Sequence, residues 1–233
     1  MLGSQPQACT QETASGFSVL AMGDLKSSAA RKNLLGAIDI YKRAFPKVDP
    51  TTRLILKVQS DDSHPEFRSA ANAMASGRGD IFVRAEKLRD GEVSQLIASS
   101  SVLLSPHRSE GFGLTLAEAF LAGVPALATG WSGNLDFMSD VPELLIRHTL
   151  VPVRDPSGIY CAPGQRWADP DLDDAAAKLR SLANSPSLRR ALAERGKTAV
   201  DALSAPWTRD ALLTTAIGKY LEGAHSSMHT GSC

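Results

Sequence analysis

The sequence predicts an α/β fold: a doubly wound, open parallel sheet with helices on both faces. Three observations predict it. Short apolar runs alternate with amphipathic stretches of helical period along most of the chain. Glycine, proline and small polar residues punctuate the junctions. The length, 233 residues, suits one α/β domain with tails.

Each element has its own signal. Residues 1–16 are polar and form a flexible lead-in. Residues 17–22, an apolar run, are the first strand. Leu34, Ile38, Tyr41 and Phe45 then recur at helical spacing, and Pro46 and Pro50 stop the helix. Residues 52–58 are the second strand, 65–76 a helix, and 81–83 a short third strand. Residues 91–99 are helical and 102–104 form the fourth strand. Two glycines, Gly111 and Gly113, open a helix that runs to Leu121. Residues 126–128 are the fifth strand, a short helix starts near Ser132, and 144–146 are a sixth strand. Residues 150–170, rich in Pro, Gly and aromatics, read as an ordered loop. Additional C-terminal helices follow at 171–183, 186–203 and 207–222. One domain therefore spans 17–223, with a tail at 224–233.

The commonest strand order for such a sheet is 3-2-1-4-5-6, which puts ligands beyond the carboxyl ends of strands one and four. The segment after strand four is the most informative in the chain. It reads Ser105, Pro106, His107, Arg108, Ser109, Glu110, Gly111, Phe112, Gly113, Leu114. Glycines at a helix start let a ligand approach the backbone, and the free N–H groups there attract phosphate. Glu110 precedes the glycines, and Glu118 follows with seven residues between. Apolar neighbours surround Glu118, which predicts a near-interior carboxylate in need of a donor such as a sugar or ribose hydroxyl. Taken alone, Glu118 reads equally as a solvated helix residue. After strand one, Ser27 or Ser28 caps a helix whose first turn carries Arg31 and Lys32. Cations there oppose the helix dipole, at about 0.3–1 kcal/mol each. A bound anion removes the conflict, so Lys32 is a candidate diphosphate partner.

Composition narrows the partners. Lys plus Arg and Asp plus Glu number 25 each, so the formal net charge is zero. That argues against nucleic acid or an anionic membrane surface as the main partner. No apolar run approaches a bilayer span. Cys9, Cys161 and Cys233 are scattered, which fits a reducing cytoplasm rather than a disulfide framework. His64, His148, His225 and His229 lack ligand spacing, and Asp171 with Asp173 starts a helix after Pro170. Acidic residues favour that position through the dipole, so no metal is expected.

At this point the residues resemble a known family. Glu110 and Glu118 are similar to the two-glutamate motif of retaining glycosyltransferases of family 4 (glycosyl transferases group 1), which have the GT-B fold. Four further stretches agree in order: His107 to Leu114, Arg31 to Asn33, Gly130 to Met138, and Trp167 to Asp171. The resemblance implies a Rossmann-like domain, the C-terminal, donor-binding half of a GT-B enzyme. It implies a nucleotide diphosphate sugar, UDP- or GDP-linked, as substrate, and no separate cofactor. Lys32 would contact the diphosphate, and the amides of Gly111, Phe112, Gly113 and Leu114 would meet the same phosphates. Glu110 would stand near the donor sugar and, with Lys32, serve catalysis. Glu118 would bind the ribose. The backbone near Val83 and Arg84 would face the base, and Gly133 and Asn134 would touch the sugar. His107 joins this set.

Two departures stand out. Many relatives carry an Arg shortly after strand one; here Asp24 stands there, leaving Arg31, Arg108 or no residue for that contact. The chain also supplies strands for one domain, so the acceptor-binding N-terminal domain is expected in cis or trans, with any membrane contact made through it. A non-catalytic nucleotide-sugar-binding module is the alternative. A dinucleotide-dependent oxidoreductase is disfavoured, because no Gly-x-Gly-x-x-Gly follows strand one.

Overall fold

A computed structural model describes residues 16–59, 64–89, 91–160 and 162–204. Residues 1–15 of the expected lead-in, the helix at 207–222, the tail and all three cysteines lie outside the described residues.

The described chain forms β1 (Phe17–Asp24), α1 (Ala29–Lys32), α2 (Leu34–Ala44), β2 (Thr52–Gln59), α3 (Pro65–Ala75), β3 (Ile81–Arg84) and α4 (Glu92–Ala98). Then come β4 (Val102–Ser105), α5 (Leu114–Leu121), β5 (Ala126–Thr129), α6 (Leu135–Met138) and β6 (Leu145–Ile146). Finally come β7 (His148–Pro152), β8 (Arg166–Pro170), α7 (Leu172–Asn184) and α8 (Pro186–Ser204). Six strands build one sheet in the order β3-β2-β1-β4-β5-β6, and every pair in it is parallel. This is the doubly wound order that the alternation predicts.

The central strands are apolar because both faces are covered. Val19, Leu20, Leu54, Leu56, Leu103 and Leu127 are buried. Each such side chain contributes about 1.5–3 kcal/mol on burial. Helix α2 packs against α3 and α7, and α5 packs against α4 and α8.

Two readings are corrected. The first helix is broken: Ser28 Oγ caps α1 by accepting from the Arg31 amide at 3.2 Å, and Asn33 then turns left-handed at φ 51° before α2 begins. Asn33 holds the break by donating from Nδ2 to Pro106 O at 2.9 Å, and a Cβ at Gly36 would overlap its side chain. The second correction is residues 150–170. Their ends pair as the antiparallel β7–β8 hairpin, His148↔Pro170 to Pro152↔Arg166. Trp167 and Ala168 are both buried, and Ala168 N donates to Arg108 O at 2.8 Å. That bond docks the hairpin beside the segment that follows β4.

Candidate functional site

The parallel register brings the carboxyl ends of β1, β2 and β4 to one side of the sheet. Two adjoining pockets open there, of about 280 Å³ and about 250 Å³. Met22, Lys32 and Thr115 border both, so they form one crevice over the switch between β1 and β4. The larger pocket is lined by Ser105, Glu110, Phe112, Gly113 and Leu114. The smaller is lined by Gly23, Asp24, Ser27, Lys57, Leu88 and Val93.

Lys32 meets Glu110 across this crevice. Its Nζ donates to Glu110 Oε2 at 2.6 Å, with the two side chains 20% and 17% exposed. Arg31 NH1 lies 3.7 Å from the same oxygen. Burial pushes the Glu110 carboxyl up. The Lys32 hydrogen bond, the Lys32 charge and the Arg31 charge outweigh it and hold the group below the usual glutamate range. Arg31 is otherwise committed inward. It donates to Ser109 O (2.7 Å), Ser27 O (3.0 Å) and Ser27 Oγ (3.1 Å), and its guanidinium lies over the Tyr160 ring. Arg108 is committed likewise, to Ala30 O at 2.7 Å and Asp169 at 3.2 Å. These two arginines fix the walls; Lys32 reaches the crevice.

Helix α5 starts at Gly113, which has φ 93° and makes no side-chain cap. A left-handed residue is needed to turn from the glycine segment into the helix, and glycine takes that conformation without strain. Gly113 O receives the Leu116 and Ala117 amides, while Leu114, 69% exposed, stands at the mouth. The positive end of α5 therefore faces the larger pocket.

A buried frame holds Glu110 and the glycines in place. Glu110 N donates to Ser132 Oγ at 2.7 Å, and Gly133 N donates to Glu110 O at 3.0 Å. A Cβ at Gly133 would lie 1.8 Å from Gly111 O, so only glycine admits this approach. His107 and Asn134 are fully buried beneath. His107 Nε2 donates toward Trp131 O (3.3 Å) and Asn134 Oδ1 (3.2 Å), and Nδ1 accepts from Ser105 Oγ (3.1 Å). Asn134 Nδ2 donates to Thr129 O at 3.0 Å, which orients its oxygen toward the histidine. Burial pushes His107 below the ordinary histidine pKa, so the ring is neutral.

The structure thus gathers Lys32, Glu110, Phe112, Gly113 and Leu114 at one pocket, with Gly111, Gly133, His107 and Asn134 packed against its rim or floor. It does not bring in Arg84, which pairs with Glu86 at 2.7 Å and borders an apolar groove beside β3. Glu118 is exposed, not near the interior. The apolar composition of α5 is misleading because Glu118 lies one turn beyond Thr115, on the side that borders the crevice. Lys57 escaped the sequence reading. Its alternation with Leu56 and Val58 reads as a solvated face, yet it is only 4% exposed. Its place at the carboxyl end of the strand beside β1 was the available signal. Among the described residues, no group of three or more His, Cys, Asp or Glu is placed to hold a metal ion. None of the described helices is long and apolar enough to cross a membrane.

An open parallel sheet in this strand order, with a basic side chain and a helix N-terminus facing each other at its switch point, defines a Rossmann-like domain. Residues 2–205 match the family model described as Family 4 Glycosyltransferase in conflict systems. The chain belongs to that family. No curated protein matches it. Solved structures with a similar fold include glycosyltransferases. One, from E. coli, carries the description trehalose-6-phosphate bound with UDP-2-fluoro glucose; it is 14% identical at a TM-score of 0.61, covering 82% of this chain and 42% of that one. Sucrose-phosphate synthase from Thermosynechococcus elongatus is 18% identical at a TM-score of 0.61, covering 94% and 47%. WaaG, a glycosyltransferase involved in lipopolysaccharide biosynthesis, is 21% identical at a TM-score of 0.58, covering 87% and 48%. The chain spans less than half the length of each.

Proposed function

We propose that this chain is the donor-binding half of a retaining hexosyltransferase, taking a UDP- or GDP-linked hexose. The observation that carries the reading is Lys32 facing the open N-terminus of α5 across one crevice. A diphosphate seated between them meets a full positive charge and a helix dipole. Glycosyl transfer builds negative charge on the leaving diphosphate, and fixed donors already aimed at it lower that barrier. Glu110, held by Lys32 and by the Ser132 loop, is placed to orient hydroxyls of the sugar. Its partner in the motif, Glu118, reaches the ribose from the exposed side of α5. Glu110 and Glu118 do not act as a hydrolase acid/base pair in this reading. The acceptor is held by a second domain, in cis or trans.

A thermal-shift panel of UDP-, GDP- and ADP-sugars tests the reading. A ligand that binds only the folded state raises the melting temperature, by an amount that follows its concentration over Kd. At least one diphosphate sugar should raise it, and Lys32→Ala should abolish the shift. A panel without any shift at millimolar ligand would overturn the assignment.

A further inference from the structure

Lys57 is a buried cation that the reading above leaves without a task. It lies on β2, beside Met22 of β1 and Arg84 of β3. Its Nζ donates to Val58 O at 2.9 Å and to Glu86 O at 2.6 Å. An ammonium has three N–H donors in tetrahedral array. Two are spent on these carbonyls, and Lys57 also borders the smaller pocket. The third is left for whatever occupies that pocket. A cation held in low dielectric with an unmet donor is costly, so an acceptor there is worth more than in water.

The rest of the lining says what shape that acceptor has. Met22, Leu88 and Val93 give apolar walls, Asp24, Ser27 and Lys32 line the side toward the end of β1, and Thr115 closes the side shared with the phosphate-facing pocket. The space is about 250 Å³ and meets α5 at Thr115, in the first turn of the helix. It suits a planar heterocycle attached to a diphosphate that sits at Lys32. Resting on the donor-site assignment, we infer that Lys57 selects the nucleobase, favouring one that turns a ring carbonyl oxygen toward the ammonium. Uracil and guanine carry such an oxygen where cytosine and adenine carry an amino group. An amino group would set N–H against N–H.

Burial also pulls the Lys57 ammonium below the ordinary lysine pKa, against the opposing Glu86 charge, as expected for a cation short of acceptors.

Calorimetry with UDP, GDP, CDP and ADP tests this on the full chain and on Lys57→Met and Lys57→Gln. UDP or GDP should bind the wild type at least about tenfold more tightly than CDP and ADP, the worth of one charged hydrogen bond. Lys57→Met should bring all four within about threefold of one another, and Lys57→Gln should give an intermediate ratio. A lysine that merely ties β2 to the connection after β3 would lower the melting temperature without changing the ratio. Two results overturn the inference while leaving the donor site standing: equal affinity of the wild type for all four, or a ratio that survives in a folded Lys57 variant. If neither variant folds, the wild-type ratio decides. Absence of binding by all four would overturn the donor site, and this inference with it.

Discussion

At the scale of the residue, Lys32 and Glu110 pair across the crevice. A diphosphate must compete with a carboxylate at 2.6 Å. Glu110→Gln removes the competing charge and keeps an oxygen for the Gly111 amide, which the glutamate accepts at 3.2 Å. The variant should therefore bind a free nucleoside diphosphate more tightly, by about fivefold, on the order of 1 kcal/mol for a largely shielded pair. Its turnover of the diphosphate sugar should fall, because the sugar loses its orienting carboxylate. Calorimetry with the diphosphate, beside turnover of the sugar, checks both; weaker diphosphate binding would mean that Glu110 holds Lys32 ready rather than engaged. His107 makes a second residue-scale prediction. Its folded pKa is depressed by burial, so the unfolded chain takes up the proton first. The stability it contributes is fully present above the ordinary histidine value of about 6.5 and is lost as pH falls from there toward the lower folded value. The melting temperature should decline across that window, and His107→Gln, which keeps one donor without titrating, should flatten the decline. Parallel curves for the two proteins would place the titration elsewhere.

At the scale of the element, the contact between α5 and α8 is set by one glycine. A Cβ at Gly196 would fall 2.2 Å from two ring carbons of Phe120, and Phe120 is fully buried on α5. Alanine gains about 1 kcal/mol of helix propensity over glycine. Overpacking a fully buried aromatic costs about 1–3 kcal/mol. The clash wins, so Gly196→Ala should lower the melting temperature by several degrees, read by circular dichroism; an unchanged or higher value would show that α8 can slide. Elements of this kind were legible to unequal depth. The six sheet strands could be read, because apolar runs bounded by glycine and proline mark buried parallel strands whatever their partners; their order came only as the commonest one for such a sheet, and the structure has it. The β7–β8 hairpin could not. Its pairing spans a long intervening loop, prolines sit at Pro152 and Pro170, and its stability comes from Trp167 and the Arg108 carbonyl rather than from local pattern. The site was half legible. Glycines, Lys32 and Glu110 announce themselves by position after β1 and β4. The exposure of Glu118 and the burial of Lys57 depend on which neighbours cover each face, and composition does not carry that.

At the scale of the whole molecule, the described residues build one parallel sheet and a two-stranded hairpin beside it, and the parallel sheet offers the proposed donor one wall. The crevice is bounded by the ends of β1, β2 and β4, by α5 and by the segment from Ser27 to Lys32. In the proposed reading, the mixed lining of the smaller pocket and the pair at Lys32 hold a nucleotide from below. Transfer asks for more: an acceptor hydroxyl held about 3–3.5 Å from the reacting carbon, with water kept out. A single open face positions neither the hydroxyl nor a cover over it. In the structural neighbours this chain matches less than half of each protein, so their remaining residues have no counterpart among those described. The 233-residue chain should therefore bind a nucleotide diphosphate sugar and release free sugar slowly, with water as the adventitious acceptor. Adding a broad set of hydroxyl acceptors should leave that rate unchanged. Adding the domain that completes the site, fused or in trans, should raise it and make it depend on the acceptor. The measurement is nucleoside diphosphate release with and without acceptor, alongside detection of the glycosylated product. Acceptor-dependent transfer by the chain alone on the order of 1 per second or faster, an ordinary enzymatic rate, would show that the open face suffices.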